Sequence, residues 1–416
     1  MKTYPAGAGQ RRLPWLALIL LFAAPAWAQA VPAAQPEEAA PAPATALIPV
    51  AIEYTPTAAV RGRMEIISRR GDAASRRRHR GGEDGLAYLV LAAQDHRPRV
   101  VARGLSGMSR SWSLRGRRGH RINADFVKVV RARLRDGPTR VRVAALASAR
   151  LLLSARPLDK GVLGDVLACL KAPASTVRFF AVRSLFNVAE FQIPKPRKGR
   201  LKAKIIRALI PLLDDPKPSV IAATADVLAR VGFPKMPHRE ALIAKAKGLV
   251  DHPMAKVRGT ALTLWSRLAR KRDHKALAPA LRRALVDGHG YVRGTAAQGL
   301  AEVGQLAAIH ALVPLLDDRR RTLLKVKKGR KFGRQLILMT TMGKQVRVVA
   351  LRAMAKLTES RRVPLDLGRD AGFVGAVLTG AIERARAYYA AHKTKLPKIA
   401  ASVLTTTEQT GSATPH

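Results

Sequence analysis

The chain is 416 residues long and carries 75 Lys and Arg against 28 Asp and Glu, a formal charge of +47. Self-repulsion on that scale opposes a compact state and raises the encounter rate with any polyanion. The single cysteine excludes an internal disulfide, and an aromatic content of 5% argues against a base-stacking surface.

Two arginines precede a short apolar run in "QRRLPWLALILLFAAPAWA" (residues 10–28), which ends in Ala26-Trp27-Ala28. Basic start, apolar middle and small-residue end read as a secretory signal peptide over residues 1–28, cleaved before Gln29. The run is well short of the roughly 20 residues that span a bilayer, so the mature chain is expected to be periplasmic or secreted and not membrane-spanning. Cleavage removes Lys2, Arg11 and Arg12 and no acid, so +47 less 3 leaves +44.

Residues 29–84 read as a Pro/Ala-rich linker followed from about residue 61 by an arginine-rich disordered segment, "RRGDAASRRRHRGGEDG". From residue 85 a phrase recurs. A valine opens a helix, usually followed by arginine, with a small residue four positions on, at Val141, Val177, Val257, Val292 and Val346, and more weakly at Val100 and Val220. The spacings are 41, 36, 43, 37, 35 and 54 residues, the period of a solenoid. An apolar-periodic segment precedes each anchor, as in "IIRALIPLLDD" and "ALAPALRRALVD", joined to it by a few Pro, Gly or Asp turn residues. Such a helical hairpin cannot bury both faces alone, so stacking is required. Cys169 falls on the apolar side of one of these helices and reads as a core thiol.

Over residues 85–360 the chain resembles the HEAT-repeat family, including its bacterial HEAT-like members. The resemblance is carried by a turn acid, the Val-Arg start and the small residue after it: Asp136, Val141, Arg142 and Ala145; Asp251, Val257, Arg258 and Ala261; Asp287, Val292, Arg293 and Ala296. It implies an all-α fold, an α-solenoid of about seven hairpins. It also implies a structural ladder in which Arg142, Arg178, Arg258, Arg293 and Arg347 pair with turn aspartates along the stack, and the aspartates cap the second helices. The repeat at Val220 departs from the pattern with Ile221 in the arginine position, and the first repeat is degenerate, as an end cap is.

Three basic insertions are not required by the repeats. Residues 109–123 include Arg115, Arg117 and Arg118; residues 194–204 include Arg197, Lys198 and Arg200; and residues 319–344 sit in the turn of the last hairpin. The last alternates as "TLLKVKKGRKFGRQLILMT", which predicts an inserted β-hairpin with Lys325, Lys327, Lys328, Arg330, Lys331 and Arg334 at its tip. These loops are the candidate binding residues for a protein partner or an anionic polymer: lipopolysaccharide, nucleic acid or acidic polysaccharide.

No catalytic, cofactor or metal site is expected. The ten histidines are scattered, His96, His252 and His289 fall in separate turns, and there is no His-Glu dipeptide of the kind HEAT-like metal hydroxylases carry. Phosphate-loop, nucleophile-elbow and zinc spacings are also missing. Residues 361–398 read as C-terminal capping helices with Tyr388 and Tyr389 packing on the stack, and 399–416 as a disordered tail. The expected function is an exported binding scaffold that recruits a polyanionic or acidic partner. The alternatives are a general protein-interaction scaffold at the cell envelope and a lyase-like or enzyme-associated protein.

Overall fold

The computed structural model describes residues 47–70, 83–115, 124–153, 158–191, 198–231, 238–320, 345–359, 365, 367 and 375–397. The expected signal peptide (1–28), residues 29–46, the centre of the arginine-rich segment and the expected disordered tail (399–416) lie outside the described residues, as do 321–344 with the expected β-hairpin. Among the described residues the chain is all-α: sixteen α-helices, three short 3₁₀ helices and no strand. Contacts divide it between Cys169 and Leu170 into two units, each described by itself.

The first unit holds α1 (Ala58–Arg70), α2 (Glu83–Gln94), α3 (Pro98–Arg115), α4 (Ala124–Asp136), α5 (Thr139–Leu152) and α6 (Lys160–Cys169). Helices α2, α4 and α6 pack in sequence as one layer, α3 and α5 form the other, and α1 covers α2. Tyr88, Leu105, Phe126, Leu146 and Leu152 fill the space between the layers. Ser148 Oγ donates to the Leu105 carbonyl at 2.8 Å, tying α5 to α3.

Residues 47–70 depart from the expected linker. Leu47 N donates to the His96 carbonyl at 3.1 Å and Val50 N to that of Ala93 at 2.8 Å. Buried Asp125 accepts from Glu53 N (3.1 Å) and Tyr54 N (3.3 Å). The buried Arg133 guanidinium donates to the carbonyls of Ala92, Ala93 and Ile48 at 3.1, 2.6 and 2.7 Å. Thr57 Oγ1 then caps α1 by accepting from Val60 N, and Val60 and Ile67, seven apart, bury against the unit. The composition reads as linker because the partners that order it lie about 40 to 85 residues away.

The second unit holds α7 (Ser175–Phe191), α8 (Lys198–Leu209), α9 (Pro218–Val231), α10 (Arg239–Leu249), α11 (Ala255–Leu268), α12 (His274–Ala284), α13 (Gly290–Val303), α14 (Ala308–Leu312), α15 (Val346–Thr358) and α16 (Gly375–His392). Helices α7, α9, α11, α13 and α15 pack side by side in that order; α8 touches α7 and α9, α10, α12 and α14 back α11, α13 and α15, and α16 closes against α15. The anchors Val177, Val220, Val257, Val292 and Val346 are each at most 1% exposed, so they are the fixed points of this layer. Pro211 and Pro314, each at the start of a "PLLD" phrase, tighten the ends of α8 and α14 into 3₁₀ turns.

Arginines following the anchors staple successive turns. Arg178 donates to Asp215 at 2.6 and 3.0 Å, Arg258 to Asp287 at 2.8 and 2.9 Å, and Arg293 to Asp318 at 2.6 Å. Each also donates backwards to the turn of its own repeat: Arg178 to Ala172 O and Pro173 O, Arg258 to His252 O and Pro253 O, Arg293 to Asp287 O. Arg142 instead reaches the Arg135 carbonyl, and Arg347 the Gln345 side chain at 2.5 Å.

The aspartates do not cap the second helices. Their Oδ1 atoms accept from the amide two residues on, at Lys217, His289 and Arg320. The α13 cap is His289, whose Nδ1 accepts from Tyr291 N at 3.2 Å. In the α11 repeat the aspartate's position belongs to His252, not Asp251, and the His252 Nδ1 accepts from Met254 N at 3.0 Å. The preceding arginine position holds Ile221, 6% exposed and packed with Val257 and Leu249, so that rung is apolar.

Candidate functional site

The side of the α7–α15 layer turned away from its backing helices is open. Counted from each anchor, positions −1, +3, +6 and +10 fall on this side, the spacing of one helix face. They bring up Arg183 on α7, Asp226 and Arg230 on α9, Lys256 and Arg267 on α11, Tyr291, Gln298 and Glu302 on α13, and Arg352 and Lys356 on α15, all half-buried or exposed among buried neighbours. Six bases against two acids make this face basic, one cation or more on every helix but α13.

Four successive helices meet at its centre. Asp226 accepts from Arg183 at 3.4 Å and from Arg230 at 3.2 Å, and the Arg230 guanidinium stands 4.7 Å over the Phe186 ring. Lys256 adds a third cation for the one carboxylate, and the described residues give its ammonium no hydrogen bond or ion pair. Burial pulls the Lys256 ammonium below its ordinary value and Arg183 adds to the pull, against Asp226. The Tyr291 ring lies over Gly259, where any side chain would collide with it. Burial, with Asp226 adding to it, pushes the Tyr291 hydroxyl up to about 12, against Arg230 and a hydrogen bond to Thr295.

Beside Tyr291 an open cleft of about 440 Å³ runs between α13 and α15. Thr295, Gln298 and Glu302 form one wall, and Val349, Arg352 and Lys356 the other. The cleft presents cations, hydroxyls and an amide to its opening. Among the described residues no group of three or more His, Cys, Asp or Glu could hold a metal ion, and no helix is long and apolar enough to cross a membrane.

None of the candidates read from the sequence is among these residues. Lys325, Lys327, Lys328, Arg330, Lys331, Arg334, Arg117, Arg118 and Arg197 fall outside the described residues. The backbone of Arg115 belongs to α3 and that of Lys198 and Arg200 to α8, so parts of the first two expected loops are helix. Cys169 is buried, its Sγ is 3.7 Å from the Leu134 carbonyl, and burial pushes its thiol up, which keeps it unreactive. The open face does not stand out in the sequence because each repeat supplies at most two of its cations. Superposing the anchors brings them to positions −1, +6 and +10.

No protein-family model matches the chain, and no curated protein does. Solved structures match at low identity. An engineered protein is 19% identical over 57% of this chain and 98% of its own, with a TM-score of 0.39. A second engineered protein is 16% identical over 80% of this chain and 95% of its own, with a TM-score of 0.41. Kap121p bound to Nup53p, a solenoid karyopherin, is 12% identical over 72% of this chain and 31% of its own, with a TM-score of 0.41. The all-α repeat architecture rests on the chain's own helix pairs.

Proposed function

We propose that the protein is an exported helical-repeat scaffold, without catalytic activity, that binds an acidic protein partner. The observation that carries this reading is the open face of the second unit, which brings together Arg183, Arg230, Lys256, Arg267, Arg352 and Lys356 with two acids, Asp226 and Glu302. The face is basic yet mixed, with Thr295, Gln298 and two carboxylates set among the cations, which suits a peptide better than a phosphate backbone. Nucleic-acid binding would also gain from exposed rings, and the Tyr291 ring is already packed over Gly259. The basic insertions, Lys325 to Arg334 among them, supply long-range attraction to the same partner in this reading. Export rests on the leader read at residues 1–28.

Titrating residues 29–416 with acidic polypeptide, duplex DNA, lipopolysaccharide and acidic polysaccharide across a salt series tests the reading. A preference for polypeptide that persists at physiological salt supports it. Equal weak binding to all four, vanishing with salt, would make the charge general attraction to the envelope.

A further inference from the structure

Resting on that reading, we infer that the open face holds an extended acidic peptide crossing α11, α13 and α15, with one carboxylate on Lys256 and a second in the cleft of Arg352 and Lys356. The first contact follows from the balance at the centre of the face, where Arg183 and Arg230 already share Asp226 and Lys256 is left over. A partner carboxylate there gives Lys256 a direct ion pair in addition to its through-space attraction to Asp226, without disturbing the existing pairs. Glu302 partly offsets the cleft's two cations, which favours a single carboxylate over a doubly charged phosphate.

Tyr291 connects the two contacts. It lines the cleft on one side and lies over Gly259 of α11 on the other, so its ring forms a smooth bridge between Lys256 and Arg352. Thr295 and Gln298 beside it present a hydroxyl and an amide that suit a peptide backbone. Neighbouring helices pack about 8–10 Å apart, so two steps cover roughly 20 Å. An extended chain advances about 3.3 Å per residue, which places the two carboxylates about six residues apart.

The test uses the full chain and two labelled 12-residue peptides of Gly, Ser and Thr, each with two glutamates, spaced six residues apart in one and adjacent in the other. Binding is read by fluorescence anisotropy for the wild type, Lys256→Met, the double variant Arg352→Gln/Lys356→Gln, and a charge-matched control, Lys275→Gln/Arg283→Gln, on exposed positions of the backing helix α12. Helicity and thermal melting confirm that each variant is folded. The expected result is tighter binding of the spaced peptide, an affinity loss of about tenfold for Lys256→Met and for the cleft variant, and little change in the control.

Equal losses in all three variants, or no preference for the spaced peptide, would overturn the site while leaving an acidic-partner scaffold intact. If the wild type binds neither peptide, the functional reading fails with it. Duplex DNA that competes with the same variant sensitivity would move the face to nucleic acid and overturn the peptide assignment.

Discussion

Tyr291 lies across the bare backbone of Gly259, so one helix's tyrosine reaches over the next helix of the stack. Gly259→Ala would ordinarily favour a helix by about 1 kcal/mol, but here the methyl group meets the ring. The substitution is expected to destabilise the wild type by about 1–3 kcal/mol and to stabilise a Tyr291→Ala background. Chemical denaturation of the four members of this cycle reads the change of sign directly, and its absence would remove the bridge.

The same tyrosine makes stability depend on alkaline pH. Its folded value of about 12 lies above the ordinary value of 10, so between the two the unfolded chain loses the proton first. The contribution is fully present below pH 10 and is lost as pH rises through about 12, amounting to about 3 kcal/mol. Tyr291→Phe should flatten the fall in melting temperature over that window. An ultraviolet titration showing every tyrosine ionising near 10 would contradict it.

The arginine rungs predict an asymmetric response. Arg178→Met leaves the Asp215 carboxylate, 2% exposed, without its partner and should cost about 3 kcal/mol. At the apolar rung, Ile221→Arg alone should also destabilise, because His252 cannot accept a guanidinium as an aspartate does. Adding His252→Asp should recover more than 1 kcal/mol of that loss. Additive effects in thermal melts would show that position 252 is not the partner position.

In the first unit, Arg133→Met removes three hydrogen bonds to carbonyls that hold residues 47–57 against α2. A loss of about 3 kcal/mol and protease cleavage between residues 47 and 57, under conditions where the wild type is intact, are expected. Uncleaved variant would mean that Asp125 and the backbone bonds of Leu47 and Val50 suffice to secure the segment.

What was legible in the sequence was whatever repeats locally. The valine anchors mark buried positions throughout, because a fixed spacing behind a turn puts the same residue on the same face each time. The phase of the turn acids was not legible, since "DHPMAKV" is one residue longer than "DGHGYV" and its histidine, not its aspartate, takes the accepting position. Residues 47–70 were hidden because Asp125 and Arg133, which order them, are far away in sequence. The open-face cations were hidden because each repeat supplies one or two at most and only stacking assembles them.

The last turn of the second unit has a closed neck. Val346 N donates to the Arg320 carbonyl at 2.9 Å and Arg347 N to that of Asp318 at 3.1 Å, so the chain leaves and re-enters the stack at one point. Twenty-four residues, 321–344, separate the two sides of this neck in the sequence. Closing a longer or shorter excursion across a fixed neck changes the free energy only with the logarithm of its length. The neck is thus a natural grafting port, because its two closing bonds are made by main-chain atoms that any change of sequence or length between them leaves in place.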